Sequence, residues 1–279
     1  MATHVLTDES TGRSVSTPTG EIYFNEAGEG TPLLLLHGSG PGATGWSNFA
    51  KSLQALSDRY RCIAPDMPGW GRSAAVSWES RDHVQDALYL LDALGIEKAA
   101  IVGNSMGGAT ALRFAAENPE RISHLMTMGA GAPGPRYFMA ADGPSEGLKL
   151  LQAGYRDPSP EGMRKMVDIF TYDPAFATDE LVQQRSKVAM SRPDHLANFI
   201  AGMGHRRGFA TLEQVMSIKT PTLIMHGRDD RVVPYEHALM LVSAISNSRA
   251  VIINRCGHWM MLEHADEFNR LVVDFIENN

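Results

Sequence analysis

A serine, an aspartate and a histidine stand in this 279-residue chain where a nucleophile, an orienting carboxylate and a base would be needed. Ser105 lies in Gly103-Asn104-Ser105-Met106-Gly107. A serine hydroxyl attacks a carbonyl only when a base takes its proton, and the base works best when a carboxylate fixes its tautomer. His258, in Cys256-Gly257-His258-Trp259, offers an imidazole, a side chain able to take and return a proton. Gly227-Arg228-Asp229-Asp230-Arg231 offers the carboxylate, and its spacing leaves open which of Asp229 and Asp230 serves. The G-x-S-x-G pattern puts a serine on a sharp strand-to-helix turn. Taken singly, a glycine-flanked serine is common in loops, a histidine after a strand is usually a loop or core residue, and Asp-Asp-Arg is usually solvated. The order serine, aspartate, histidine, with each at the end of a strand, carries the reading.

Those strand ends follow from the apolar pattern. Residues 99–102 read as a buried strand running into Ser105, and residues 108–117 as the helix that leaves it. Residues 222–225 and 250–253 are similar strands, running into the aspartates and into His258. Residues 32–36 form a continuous apolar run, as a strand covered on both faces should, and end in His37-Gly38-Ser39-Gly40-Pro41-Gly42. The backbone N–H of Ser39 in that loop and of Met106 after the nucleophile are the expected oxyanion donors. Further strands are expected at 21–28, 60–64 and 124–129, the first as part of a hairpin, and helices at 46–56, 82–94 and 265–277. Strands alternating with helices predict an α/β fold with a largely parallel sheet. From 134 to 208 only helical spacing occurs, broken by Pro144, Pro158, Pro160, Pro174 and Pro193. The chain is therefore expected to form a core from residues 1–133 and 209–279, with a helical lid, 134–208, over the carboxyl ends of the strands.

Composition narrows the class. Hydrophobic content of 43% with 20% charged residues describes an ordinary globular protein. A net charge of −7 argues against a nucleic-acid surface. No apolar run reaches the roughly 18 residues of a spanning helix, so no membrane insertion is expected. The first twenty residues lack the apolar centre of an export signal. Cys62 and Cys256 lie in apolar stretches and read as reduced core residues, which agrees with a cytoplasmic location. The ten histidines show no ligand spacing such as H-E-x-x-H, so neither a metal nor a cofactor is expected.

From Gly30 to the C-terminus the chain resembles the α/β-hydrolases, and within them the meta-cleavage product hydrolases of aromatic-ring degradation. The resemblance rests on His37 to Ala43 with Gly45-Trp46-Ser47-Asn48, on Gly103 to Gly108, on Gly227 to Arg231, on Cys256 to Trp259, and on Glu263-His264-Ala265-Asp266-Glu267-Phe268-Asn269. It implies a mostly parallel eight-stranded sheet flanked by helices, and it assigns the catalytic carboxylate to Asp230, leaving Asp229 a structural neighbour. The implied reaction hydrolyses a carbon–carbon bond of a 2-hydroxy-6-oxohexa-2,4-dienoate, giving 2-hydroxypenta-2,4-dienoate and a carboxylic acid. His258 would first manage protonation at carbon 5, turning enol into ketone, so that the later leaving group is a stabilised carbanion. Ser105 would then attack the C6 carbonyl or position a water.

The same resemblance implies that Arg185 receives the substrate carboxylate, that Asn48 and Asn104 line the polar end, and that Trp259 stacks near the dienoate. Gly131, Leu148, Leu151, Phe170, Val232 and Val233 correspond to an apolar pocket for an aryl or alkyl group on C6. Val232 stands where relatives can carry a large aromatic, which favours aryl. The expected partners are a small ring-cleavage product and further copies of the chain, as a homodimer or larger. A carboxylesterase or thioesterase of the same fold would share the triad, and a non-catalytic receptor would share the pocket. Arg185 with Asn48 and Asn104 favours a keto acid over a simple ester, and an intact Ser105, Asp230 and His258 favours catalysis. Serine at 105 excludes the aspartate-nucleophile dehalogenases and epoxide hydrolases.

Overall fold

The structure, a computed structural model, describes residues 5–138, 143–205 and 208–279. It opens with a short helix α1 (Asp8–Thr11) and the hairpin of β1 (Gly12–Thr17) and β2 (Gly20–Ala27). There follow β3 (Thr31–Leu36), α2 (Gly45–Leu56), β4 (Tyr60–Pro65), α3 (His83–Ala93), β5 (Ala99–Asn104), α4 (Met106–Glu117) and β6 (Ile122–Met128). Four α-helices then come with no strand among the described residues: α5 (Glu146–Arg156), α6 (Pro160–Phe170), α7 (Asp179–Met190) and α8 (Pro193–Gly202). After α9 (Leu212–Ser217) the alternation resumes with β7 (Thr222–Gly227), α10 (Glu236–Ala244), β8 (Ser248–Ile253), α11 (Met260–Glu263) and α12 (Ala265–Glu277).

Eight strands make one sheet in the order β1-β2-β4-β3-β5-β6-β7-β8. The hairpin pairs antiparallel with itself and with β4, and every pairing from β4 to β8 is parallel. From β3 the chain moves outward to β4 and then crosses back to β5 on the other side. That reversal opens a crevice beyond the carboxyl ends of β3 and β5, where open α/β sheets hold ligands.

The continuous apolar run of β3 has its reason in the two layers that cover it. Leu33 and Leu35 join the cluster of Phe49, Leu53 and Phe268, while Leu34 and Leu36 join that of Leu90, Leu91 and Phe114. The expected strands and helices all form, with ends shifted by at most two residues. β1 was not foreseen: Gly12–Thr17 is polar, with much of its length exposed, and its place comes from backbone pairing with β2 rather than from an apolar pattern.

The helices between β6 and β7 form from their own caps and stripes. Ser145, Ser159 and Thr178 stand at the N-caps of α5, α6 and α7 and accept the N–H of Leu148, Gly162 and Leu181. Leu151 and Tyr155 of α5, and Met163, Met166, Val167 and Phe170 of α6, recur at helical spacing and merge with the core on one face of the sheet.

Candidate active site

Ser105 is the single residue between β5 and α4, with φ 54° and ψ −113°. A residue with a side chain rarely adopts positive φ, and here the neighbouring structure imposes it. The Ser105 N–H donates to Met128 O at 2.8 Å, and Ala109 N–H donates to Ser105 O at 2.9 Å. The turn also needs close packing behind it: a Cβ on Gly107 would lie 2.2 Å from Leu36 O. The Ser105 hydroxyl has no hydrogen-bond partner among the described residues.

His258 and Asp230, the expected base and its carboxylate, come from the loops after β8 and β7. His258 Nδ1 lies 2.6 Å from Asp230 Oδ2. Asp230 Oδ1 accepts the N–H of Val232 at 2.8 Å and of Val233 at 2.9 Å. His226 Nε2 lies 3.3 Å from Oδ2 on the other side, and also 2.7 Å from Val233 O. Burial alone would raise the Asp230 carboxyl, but the imidazoles of His258 and His226 override it and hold it well below the usual carboxylate range. Asp230 thus stays ionised and keeps a proton on His258 Nδ1, leaving Nε2 to take one. Asp229 instead accepts the Arg255 N–H at 3.0 Å. Close approach at this corner depends on Gly129 (φ 54°), where a Cβ would come within 2.9 Å of the His258 ring. The His258 N–H donates to Phe170 O at 2.7 Å, so α6 holds the backbone of the base.

The loop after β3 is held from beneath. His37 is fully buried, and its Nε2 accepts the Met67 N–H at 2.9 Å. The proton therefore sits on Nδ1, which donates to Gly38 O at 2.7 Å. Burial pushes this imidazole down to about 3, so it stays neutral. Gly38 C=O and Ser39 N–H belong to one planar peptide, so His37 sets the direction of the Ser39 amide. Met106 opens α4, where a helix leaves its first amides without intrahelical partners.

Ser39, Asn48, Asn104, Ser105, Leu151, Phe170, Arg185, His258 and Trp259 line one cavity at the carboxyl ends of the strands. Gly38, Gly40 and Ala43, which the sequence shows only as parts of the loop motif, line it as well. Gly131, Leu148, Val232 and Val233 do not line it: Val232 and Val233 serve through their amides on Asp230, Leu148 is half-buried against the core, and a Cβ on Gly131 would meet nothing within 4 Å. Asn48 Nδ2 donates to Thr44 O at 2.8 Å, and Asn104 Nδ2 donates to His258 O at 3.1 Å. Asn104 Oδ1 is buried without a partner among the described residues.

Arg185 is the unusual member. It is only 1% exposed, and none of its three side-chain nitrogens has a hydrogen-bond partner among the described residues. Its guanidinium lies 4.3 Å from the Trp259 ring centroid. Burial pushes it down to about 10, which still leaves a cation at neutral pH. A buried, unpaired guanidinium is costly, and a planar carboxylate is the group that satisfies it. The cavity therefore brings Ser105 and His258 together with an unpartnered guanidinium.

Comparison with known proteins agrees with this chemistry. A family model described as the alpha/beta hydrolase fold matches residues 31–265. The 2-hydroxy-6-oxononadienedioate/2-hydroxy-6-oxononatrienedioate hydrolase of Cupriavidus pinatubonensis is 42% identical over 98% of both chains. The 2-hydroxy-6-oxo-6-phenylhexa-2,4-dienoate hydrolase of Comamonas testosteroni is 44% identical over 91% of both. Among solved structures, a meta-cleavage product hydrolase from Pseudomonas fluorescens IP01, complexed with acetates, is 36% identical with a TM-score of 0.85, covering 96% of this chain and 98% of that one.

Proposed function

The chain belongs to the meta-cleavage product hydrolases of the α/β-hydrolase fold, enzymes that hydrolyse a carbon–carbon bond of 2-hydroxy-6-oxo-dienoates, and on that premise we propose how its residues divide the work. Arg185 receives the C1 carboxylate in bidentate fashion, with Asn48, Asn104 and Trp259 around the dienoate. His258 relays a proton from the 2-hydroxyl to C5, giving the ketone. Ser105, or a water it positions, adds to the C6 carbonyl as His258 takes the proton of the attacking hydroxyl. The oxyanion rests on the Ser39 and Met106 amides. The C5–C6 bond then breaks, its electron pair passing into the dienolate, which His258 protonates to 2-hydroxypenta-2,4-dienoate. Where water adds, the carboxylic acid leaves directly; where Ser105 adds, a second water, deprotonated by His258, hydrolyses the acyl-Ser105 ester to the acid and the free serine. Residues 134–208 act as the lid that excludes water from these steps.

The observation that carries this reading is Arg185, buried and unpaired in the same cavity as Ser105 and His258. A simple ester carries no carboxylate to pair with it. Arg185 is the only arginine or lysine lining the cavity among the described residues, so an apolar C6 group, aryl or alkyl, suits it. The Cupriavidus relative favours a second reading, a C6 chain ending in a carboxylate. A panel of yellow ring-opened dienoates bearing methyl, isopropyl, phenyl or carboxyethyl at C6, followed by bleaching, separates the two. Replacing Arg185 by Gln should lower kcat/KM on the best dienoate by about 100-fold or more, with little loss on a small aryl ester. Equal losses on both substrates would remove Arg185 from the role of carboxylate receptor. A cytoplasmic location and a homo-oligomer complete the proposal, supported by two free buried thiols and by the family resemblance; light scattering on the purified protein tests the second.

A further inference from the structure

One buried side chain links the helices that carry Arg185 to the loop that carries the oxyanion donor. Tyr155 of α5 is 3% exposed, and its hydroxyl donates to Ser39 O at 2.6 Å. The Trp70 indole N–H donates to the same hydroxyl at 2.8 Å. An indole nitrogen can only donate, so the tyrosine oxygen must accept there, and its one hydrogen is committed to Ser39. The ring is stacked on Phe199 of α8 with centroids 3.7 Å apart and planes 6° from parallel. Burial pushes the phenol far above its ordinary range, which keeps it a donor at every working pH.

Ser39 lies between two peptide planes. The first carries its N–H, and His37 holds that plane through Gly38 O. The second carries its C=O, and Tyr155 holds that one. Gly38 and Gly40 on either side give the loop little stiffness of its own, so both planes need an outside partner to stay aimed. His37 reaches the loop from its own strand end, whereas Tyr155 reaches it from the inserted helices. We infer that Tyr155 is a positioning residue for the oxyanion hole, through which the inserted helices aim the Ser39 amide at the reacting carbonyl. The helices that seat the substrate carboxylate on Arg185 then also complete the electrophilic site, so binding at one end and stabilisation at the other share one scaffold. The inference rests on the assignment of Ser39 as oxyanion donor made above.

The test is Tyr155→Phe, which keeps the ring and its stack on Phe199 and removes only the hydroxyl. Displacing an oxyanion donor by a fraction of an ångström should lower kcat by about 10- to 100-fold, on a dienoate and on p-nitrophenyl acetate alike, with KM within about twofold of wild type. Trp70→Phe, which removes the donor that orders the hydroxyl, should give a smaller loss of the same kind. The double variant should be no slower than Tyr155→Phe alone, because the relay is already broken. A lower melting temperature with kcat unchanged would overturn the proposal and leave Tyr155 a structural tie. So would a rise in KM at constant kcat, or fully additive losses in the double variant. Wild-type protein that turns over the ester but no dienoate would overturn the carbon–carbon reading alone, and the ratio of Tyr155→Phe to wild type on the ester would still decide this one.

Discussion

At the scale of single residues, Ser105, the proposed nucleophile, is also a point of strain. Ser105 holds φ at 54°, a conformation that costs about 1–3 kcal/mol for a residue with a side chain. Replacing it by Ala should lower kcat by about three orders of magnitude or more while the folded protein still binds dienoates. Replacing it by Gly should give a protein about 1 kcal/mol more stable than the Ala variant, the reverse of the usual order of these two residues. Denaturant melts of the two variants decide it, and an Ala variant as stable as the Gly one would mean the turn is not strained. Ser105 and His258 can be proposed from sequence because nucleophile and base chemistry restricts residue type, and the structure brings both to one cavity. The sequence was silent on His226, His37 and Tyr155. Nothing in the spacing of a lone histidine or tyrosine tells which carboxylate or carbonyl it will meet, since those contacts span 85 or more residues for Tyr155–Trp70 and Tyr155–Ser39. The same limit explains Val232 and Val233: apolar in type, they act on Asp230 through their backbone.

At the scale of elements, the strands of the parallel sheet were legible because burial on both faces demands unbroken apolar runs, and the elbow because only glycine fits beside it. β1 was not, since an edge strand needs no apolar face. How α2 is tied to the sheet was also hidden. Asp66, just after β4, is buried and accepts the Gly45 N–H at 2.7 Å and the Arg72 N–H at 2.9 Å. Burial pushes its carboxyl up to about 7, against an ordinary 3.8, even with these amides favouring the ionised form. Between those two values the folded state holds a proton that the unfolded chain has released. This group's contribution to stability is therefore present at low pH and lost as pH rises from about 4 toward 7. An Asp66→Asn variant lacks that dependence. Its stability relative to wild type should improve as pH rises through the window, and a difference that stays flat with pH would show Asp66 ionised throughout.

At the scale of the whole molecule, the chain carries a net charge of −7. No described helix is long and apolar enough to cross a membrane. The two cysteines are free and buried, as their apolar surroundings predicted, and burial pushes the Cys62 thiol up to about 12, where it is inert. The guanidinium of Arg185 reaches beyond its cavity to the melting behaviour of the entire chain. A folded state that hides a cation with no anion beside it among the described residues stands less firmly than its packing would allow, and whatever supplies the anion restores the difference. Hydroxypentadienoate, or a non-hydrolysable dienoate, at about 100 times its dissociation constant should raise stability by about 2.7 kcal/mol, a shift of several degrees. Arg185→Met should melt higher than the wild type when both are ligand-free, and should no longer respond to the acid. The enzyme's thermal stability thus becomes a gauge of how much ring-cleavage product surrounds it, with sparse substrate leaving the protein at its most fragile.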